Sequence, residues 1–147
     1  MLSGMTSAKQ ASQLLERNGI PETPQRLFVV QELARENNDA TAAQLYDRLR
    51  RRGINIGQAT VYRTLALLHE RGAVDTFSHH AGELCYRLCS QTHHHHLTCT
   101  SCHRVVELES CGLDSWVAES ATRHGFQATS HEVEIVGVCA DCRPNRR

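Results

Sequence analysis

Apolar residues recur at helical spacing as far as Gly72 and fall into short β-like runs after it. Ala8, Ala11, Leu14 and Leu15 predict a helix over 6–18, with Gly19 as its stop. Thr23 before Pro24 reads as an N-cap followed by proline at the first helical position. Leu27, Val30, Leu33 and Ala34 give that helix its inner face. Thr41 with Gln44 makes a capping box, opening a helix with Leu45 and Leu49 inside and Gly53 at its end. A fourth helix is expected over 57–71, where Val61, Leu65 and Leu68 share one stripe. Runs 74–77 and 83–88 then read as strands joined by the turn-forming SHHAG, which carries His79 and His80. Farther on, 105–108 and 133–138 read as strands. Between them lies a helix over 113–124, with Trp116, Val117 and Ala121 inward and Gly125 as its stop.

This pattern predicts an α+β chain. Helices followed by a hairpin are in the order of a winged helix, a helix-turn-helix variant. On the fourth helix, Arg63 lies opposite the apolar stripe and Gln58 and Tyr62 flank it. A recognition helix needs that division: an apolar back that docks and donors aimed at base edges and phosphates. The second half reads as a small α/β domain whose strand edges need covering, which a second copy would do. We place the DNA-binding domain at 1–88, a hinge at 89–93 and a dimerisation and metal-binding domain at 94–147. Cores this small are marginal, so metal or dimerisation is expected to support them.

Charge changes the picture little. The formal net charge is zero, so no global field draws the chain to nucleic acid. Arg48, Arg50, Arg51 and Arg52 nevertheless cluster at the predicted end of the third helix, where basic residues also suit the helix dipole. No apolar run approaches the ~20 residues of a membrane span, and the first residues lack a signal-peptide pattern. A cytoplasmic location is expected.

Candidate chemistry changes it more. The chain has seven cysteines and ten histidines. Cys99 with Cys102, and Cys139 with Cys142, form two Cys-x-x-Cys clips, and four thiolates suit a closed tetrahedral zinc site. Such a site would staple the start of the second domain to its end and leave no open position for catalysis. Just before the first clip stand four consecutive histidines, 93–96. On an extended segment His93 and His95 face one way and His94 and His96 the other, so one strand can feed two metal sites. The first pair has His131 as a further candidate ligand and a carboxylate from Asp114 or Glu107. The second pair has Cys89 nearby and Asp75 as a candidate fourth, an assignment that spacing alone does not make. Cys85 and Cys111 read as small buried or half-exposed thiols, with Cys111 as a substitute ligand should Asp114 not serve. The metalloprotease and deaminase patterns are absent, so an enzyme is not expected. A zinc store or chaperone is the rival from another class, and it would have no use for the helix carrying Tyr62 and Arg63.

In ATVYRTL (59–65), HHHHLTCTSC (93–102), the HGF step (124–126), SHEVEIVGVC (130–139) and the closing Cys-x-x-Cys, the chain resembles the ferric uptake regulator family. The likeness runs from Ser7 onward and is greatest to the family's zinc uptake regulators. It implies a dimeric winged-helix repressor that needs zinc and binds palindromic operator DNA, with two to three zinc ions per protomer and no small-molecule substrate. An iron- or peroxide-responsive regulator is the alternative within the family. The resemblance implies structural zinc at Cys99, Cys102, Cys139 and Cys142 and regulatory zinc at Asp75, Cys89, His94 and His96. A third site would use His93, His95, Asp114 and His131, Asp114 standing where the family usually has glutamate. Tyr62 and Arg63 match the family's recognition-helix residues, and Gln58 and Thr60 join them as candidate DNA contacts. The family's lysine in the turn before the second helix is missing from GIPETPQR, and Arg26 is the candidate substitute.

Overall fold

Each apolar stripe of the first half becomes a helix in a computed structural model that describes residues 8–35, 39–78, 82–89, 93–109 and 111–144. The chain divides into two compact units, Met1–Gln91 and Thr92–Arg147. In the first, α1 spans Ala8–Arg17, α2 Pro24–Leu33, α3 Ala42–Arg51 and α4 Gln58–Glu70. The caps form as the sequence implies. Thr23 accepts from the Arg26 N–H, and Thr41 and Gln44 satisfy each other's backbone donors. After α4, Gly72 takes φ +71° and lets Ala73 N–H turn back onto the Leu68 carbonyl at 2.8 Å. That reversal launches the hairpin of β2 (Val74–Ser78) and β3 (Leu84–Leu88). Its turn, with His79 and His80, lies outside the described residues, as do 6 and 7 of the expected first helix.

Two features of this unit were not foreseen. A two-residue strand, β1 (Ala40–Thr41), pairs with β3 to give the order β1-β3-β2. On α2, Val29 and Glu32 are buried beside Val30 and Leu33, while Ala34 is the half-buried C-cap. The Glu32 carboxylate accepts from Arg52 Nη1 at 2.6 Å, which ties α2 to the end of α3. Leu15, Val30, Leu45, Leu49, Val61, Leu65 and Leu68 are fully enclosed in one core. Leu65→Ala is therefore expected to destabilise this unit by about 2–5 kcal/mol. Denaturant unfolding followed by far-UV circular dichroism checks this; a loss under 1 kcal/mol contradicts the packing described.

The second unit is built on β4 (His95–Cys99), with β5 (Val105–Leu108) antiparallel on one side and β6 (Glu134–Gly137) parallel on the other. Helix α5 (Asp114–Arg123) lies between β5 and β6 in sequence. Here one expectation is corrected. Trp116 is 64% exposed, Val117 and Ala121 are only half-buried, and α5 buries no residue. The apolar stripe is present, but the described residues cover it only in part. Leu97, Ile135, Val136, Val138 and Phe126 are exposed as well. Of this unit's described apolar residues, only Cys99 and Val105 are buried. No described helix is long and apolar enough to cross a membrane.

Candidate functional site

The two clips meet. Cys99 closes β4 and Cys102 ends the turn after it, where His103 takes φ +61°. Cys139 and Cys142 sit two residues beyond β6 and at the following turn. The parallel pairing of β4 with β6 places Cys99 opposite Gly137 and brings the clips side by side. All four sulfurs lie within 4.8 Å of one another, and Cys102 Sγ is 3.7 Å from Cys139 Sγ. Sulfurs about 2.3 Å from a shared centre form a tetrahedron with edges of about 3.8 Å, so the donor set fits zinc. Backbone groups prepare the charge. N–H groups of Cys139, Cys102 and Ser101 hold the Cys99 thiol down to about 6, with Cys139 N at 3.3 Å from Sγ. Cys142 is pushed up to about 12, chiefly by hydrogen bonding with the Cys139 and Cys102 sulfurs.

Along β4 the histidines alternate as an extended strand requires. The His94 and His96 rings stand 4.9 Å apart on one face. His95, almost wholly buried, points the other way and groups with His93 and His131. Val133 N–H donates to His95 Nδ1 at 3.1 Å, and His95 Nε2 lies 3.1 Å from His93 Nε2. Two ring nitrogens that close hold one proton or one cation between them. Burial, then the neighbouring imidazoles, lower the pKa of His95, which favours the neutral ring that a metal ion needs as a ligand.

The fourth donor in this group is Cys111, whose Sγ lies 3.3 Å from His131 Nε2. Asp114, the expected ligand, is not in the group. Its carboxylate stands 4.0 Å from His131 Nε2, and its side chain is 83% exposed. Glu107 does not replace it, because it pairs with His96 and so shares that histidine's face rather than the face of His95.

Of the other expected ligands, Asp75 lies on β2 opposite Arg87, and Cys89 follows β3 with its Sγ 3.6 Å from the Gly72 carbonyl. Both belong to the first unit, whereas His94 and His96 belong to the second. Of the expected hinge, 90–92 lie outside the described residues. Cys85 is buried opposite Thr41 and Phe77, and burial together with Asp39 and Glu83 pushes its thiol up to about 11, which makes it inert.

On α4, Gln58, Tyr62 and Arg63 are exposed and Thr60 half-buried, while Val61, Leu65 and Leu68 anchor the opposite side. That is the division a groove-reading helix needs. Arg26 is half-buried at the start of α2 and donates from Nη1 to the Pro21 carbonyl.

The model of the ferric uptake regulator family matches residues 17–136. The chain is 46% identical over 125 residues to a zinc uptake regulation protein of Mycobacterium tuberculosis, covering 85% of this chain and 96% of that one. With a ferric uptake regulation protein of Escherichia coli it shares 35% over 132 residues, 88% of this chain and 89% of the other. Among solved structures, the Vibrio cholerae ferric uptake regulator aligns with a TM-score of 0.66 at 32% identity, over 87% of this chain and 98% of its own.

Proposed function

Because the chain belongs to the ferric uptake regulator family, we propose that it is a zinc-dependent transcriptional repressor, which binds palindromic operator DNA as a homodimer and controls zinc uptake genes. It is a regulator and not an enzyme. The observation that carries the metal is the thiolate-rich donor chemistry, since sulfur ligands favour zinc over iron or manganese. Support for zinc as the sensed metal comes from Cys89, a thiolate in the proposed regulatory set of Asp75, Cys89, His94 and His96. The donor sets support a count of two to three zinc ions per protomer. We place the protein in the cytoplasm, where reduced thiols persist.

In this reading residues 1–88 bind DNA, 89–93 form the hinge and 94–147 dimerise. Exposed apolar residues on β4, β6 and α5 support the dimer, because a lone chain rarely leaves so much apolar surface to water. Tyr62 and Arg63, with Gln58 and Thr60, read the groove, and Arg26 serves a neighbouring backbone contact. Ligands drawn from both sides of the hinge link its conformation to zinc. When bound, the ion supplies a crosslink across the hinge. Two half-sites then meet two reading heads at one fixed spacing.

Operator binding measured against buffered free zinc and, separately, free ferrous iron tests this. Half-saturation of DNA binding at far lower zinc than iron is expected. A response to iron at equal or lower concentration transfers the protein to the family's iron-responsive members. Metal uptake without any DNA binding would favour the store or chaperone.

A further inference from the structure

We propose that the third metal site is a three-histidine, one-cysteine site, with Cys111 as its fourth ligand in place of Asp114. The inference rests on the zinc-regulator reading above and concerns what this chain, with its aspartate and neighbouring cysteine, has done with the site.

Three observations converge on the sulfur. Cys111 Sγ and one nitrogen from each of His93, His95 and His131 lie within 4.8 Å of one another. The 3.3 Å between Cys111 Sγ and His131 Nε2 is close to the edge of about 3.5 Å that zinc with sulfur at about 2.3 Å and nitrogen at about 2.0 Å would set. Leu113 N–H donates to Cys111 Sγ at 3.4 Å, the same backbone support that Cys139 N–H gives Cys99. Gly112 between them takes φ +60°, a conformation that a side chain would oppose, so the sequence Cys-Gly-Leu is what lets the chain fold back onto the sulfur. Asp114 stands one residue into α5 with an exposed carboxylate. An aspartate reaches one methylene less far than a glutamate, and the sulfur fills the position it leaves short.

The ligand change has chemical consequences. A thiolate added to three imidazoles softens the donor set and favours zinc over iron and manganese, which a carboxylate would accept. It also makes the site sensitive to thiol reagents, since Cys111 is half-exposed. Asp114 becomes dispensable for binding.

The test uses the full-length dimer in a Cys89→Ser background, so that Cys111 is the only thiolate expected at a labile site. Structural zinc is retained, labile metal is removed with a mild chelator, and cobalt(II) is titrated in. A near-ultraviolet sulfur-to-cobalt charge-transfer band is expected. It should vanish in Cys89→Ser/Cys111→Ser and persist in Cys89→Ser/Asp114→Asn. Zinc affinity at the site should fall about 10-fold or more with Cys111→Ser, at least as far as losing an outer-shell partner would take it, and less than 3-fold with Asp114→Asn. Independently of whether the double variants fold, iodoacetamide labelling of Cys111 in the Cys89→Ser protein, read by mass spectrometry, should slow about tenfold when zinc is added. No charge-transfer band, or labelling that ignores zinc, overturns the proposal, as does loss of the band in the Asp114→Asn variant alone. Zinc-dependent operator binding by the unsubstituted protein is measured in parallel. If it holds while the band is missing, the sulfur ligand falls and the regulator stands. If it is missing while the band is present, the regulator falls and the ligand stands.

Discussion

Cys99→Ser is expected to strip the structural zinc and leave the second unit unfolded or monomeric, the largest effect of any single substitution considered for this protein. The reason lies in how little else holds that unit together. Its sheet has three short strands, no residue of α5 is more than half-buried, and only Cys99 and Val105 are buried among its described apolar residues. The four sulfurs join the end of β4 to the turn after β6. Closed zinc sites of this type contribute about 10–16 kcal/mol in small domains, as much as the whole stability of an ordinary domain, about 5–15 kcal/mol. Backbone N–H groups hold the Cys99 thiol down to about 6, so replacing it removes a ligand already prepared as thiolate. Zinc content, sedimentation equilibrium and thermal unfolding of the variant read the effect together. A zinc-free dimer melting at the wild-type temperature would show that apolar contacts alone hold the unit.

The second large effect is on regulation. Cys89→Ser is expected to keep fold, structural zinc and dimer while losing most of the zinc response in operator binding. Cys89 lies just after β3, where its sulfur meets the Gly72 carbonyl at the distance of a weak hydrogen bond. A serine hydroxyl can make the same contact, so the first unit loses nothing in its core. The proposed regulatory site loses its thiolate, and with it the donor that favours zinc. A 100-fold zinc effect on DNA affinity corresponds to about 2.7 kcal/mol of coupling. Coupling is reciprocal, so operator DNA should tighten zinc binding by the same factor in the unsubstituted protein and not in the variant. Fluorescence anisotropy with labelled operator, with and without buffered zinc, measures both. A variant that keeps the full 100-fold response removes Cys89 from the switch.

The parts of this structure that depend on local chemistry were legible in the residues. Thr23–Pro24 and Thr41–Gln44 announced two helix starts because caps act over three or four residues. Val61, Leu65 and Leu68 announced the docking side of α4 because the helical period leaves little choice. The alternation of four histidines separates two donor faces for the same reason on a strand. What escaped depended on contacts distant in sequence. Ala40–Thr41 is too short to show a period, and it becomes a strand only because β3 passes beside it. Glu32 reads as a surface residue of α2 until Arg52, twenty positions on, is seen to hold it. The stripe through Trp116 was legible as a helical period, but a period does not say what covers it, and Trp116 stands 64% exposed. Asp114 and Cys111 were separated by reach and by the left-handed turn at Gly112. A Cys-Gly pair three residues before a short acidic side chain is the signal that brings Cys111 forward as a candidate beside Asp114.

One measurement bears on the central claim more directly than any variant. The unsubstituted dimer is treated with a chelator that leaves the four-cysteine site loaded and removes the exchangeable metal, and its affinity for operator DNA is compared before treatment, after it, and after zinc is returned. An affinity that drops about 100-fold and recovers on zinc addition is the predicted result. Equal affinity in all three states, with the dimer intact, would contradict the account.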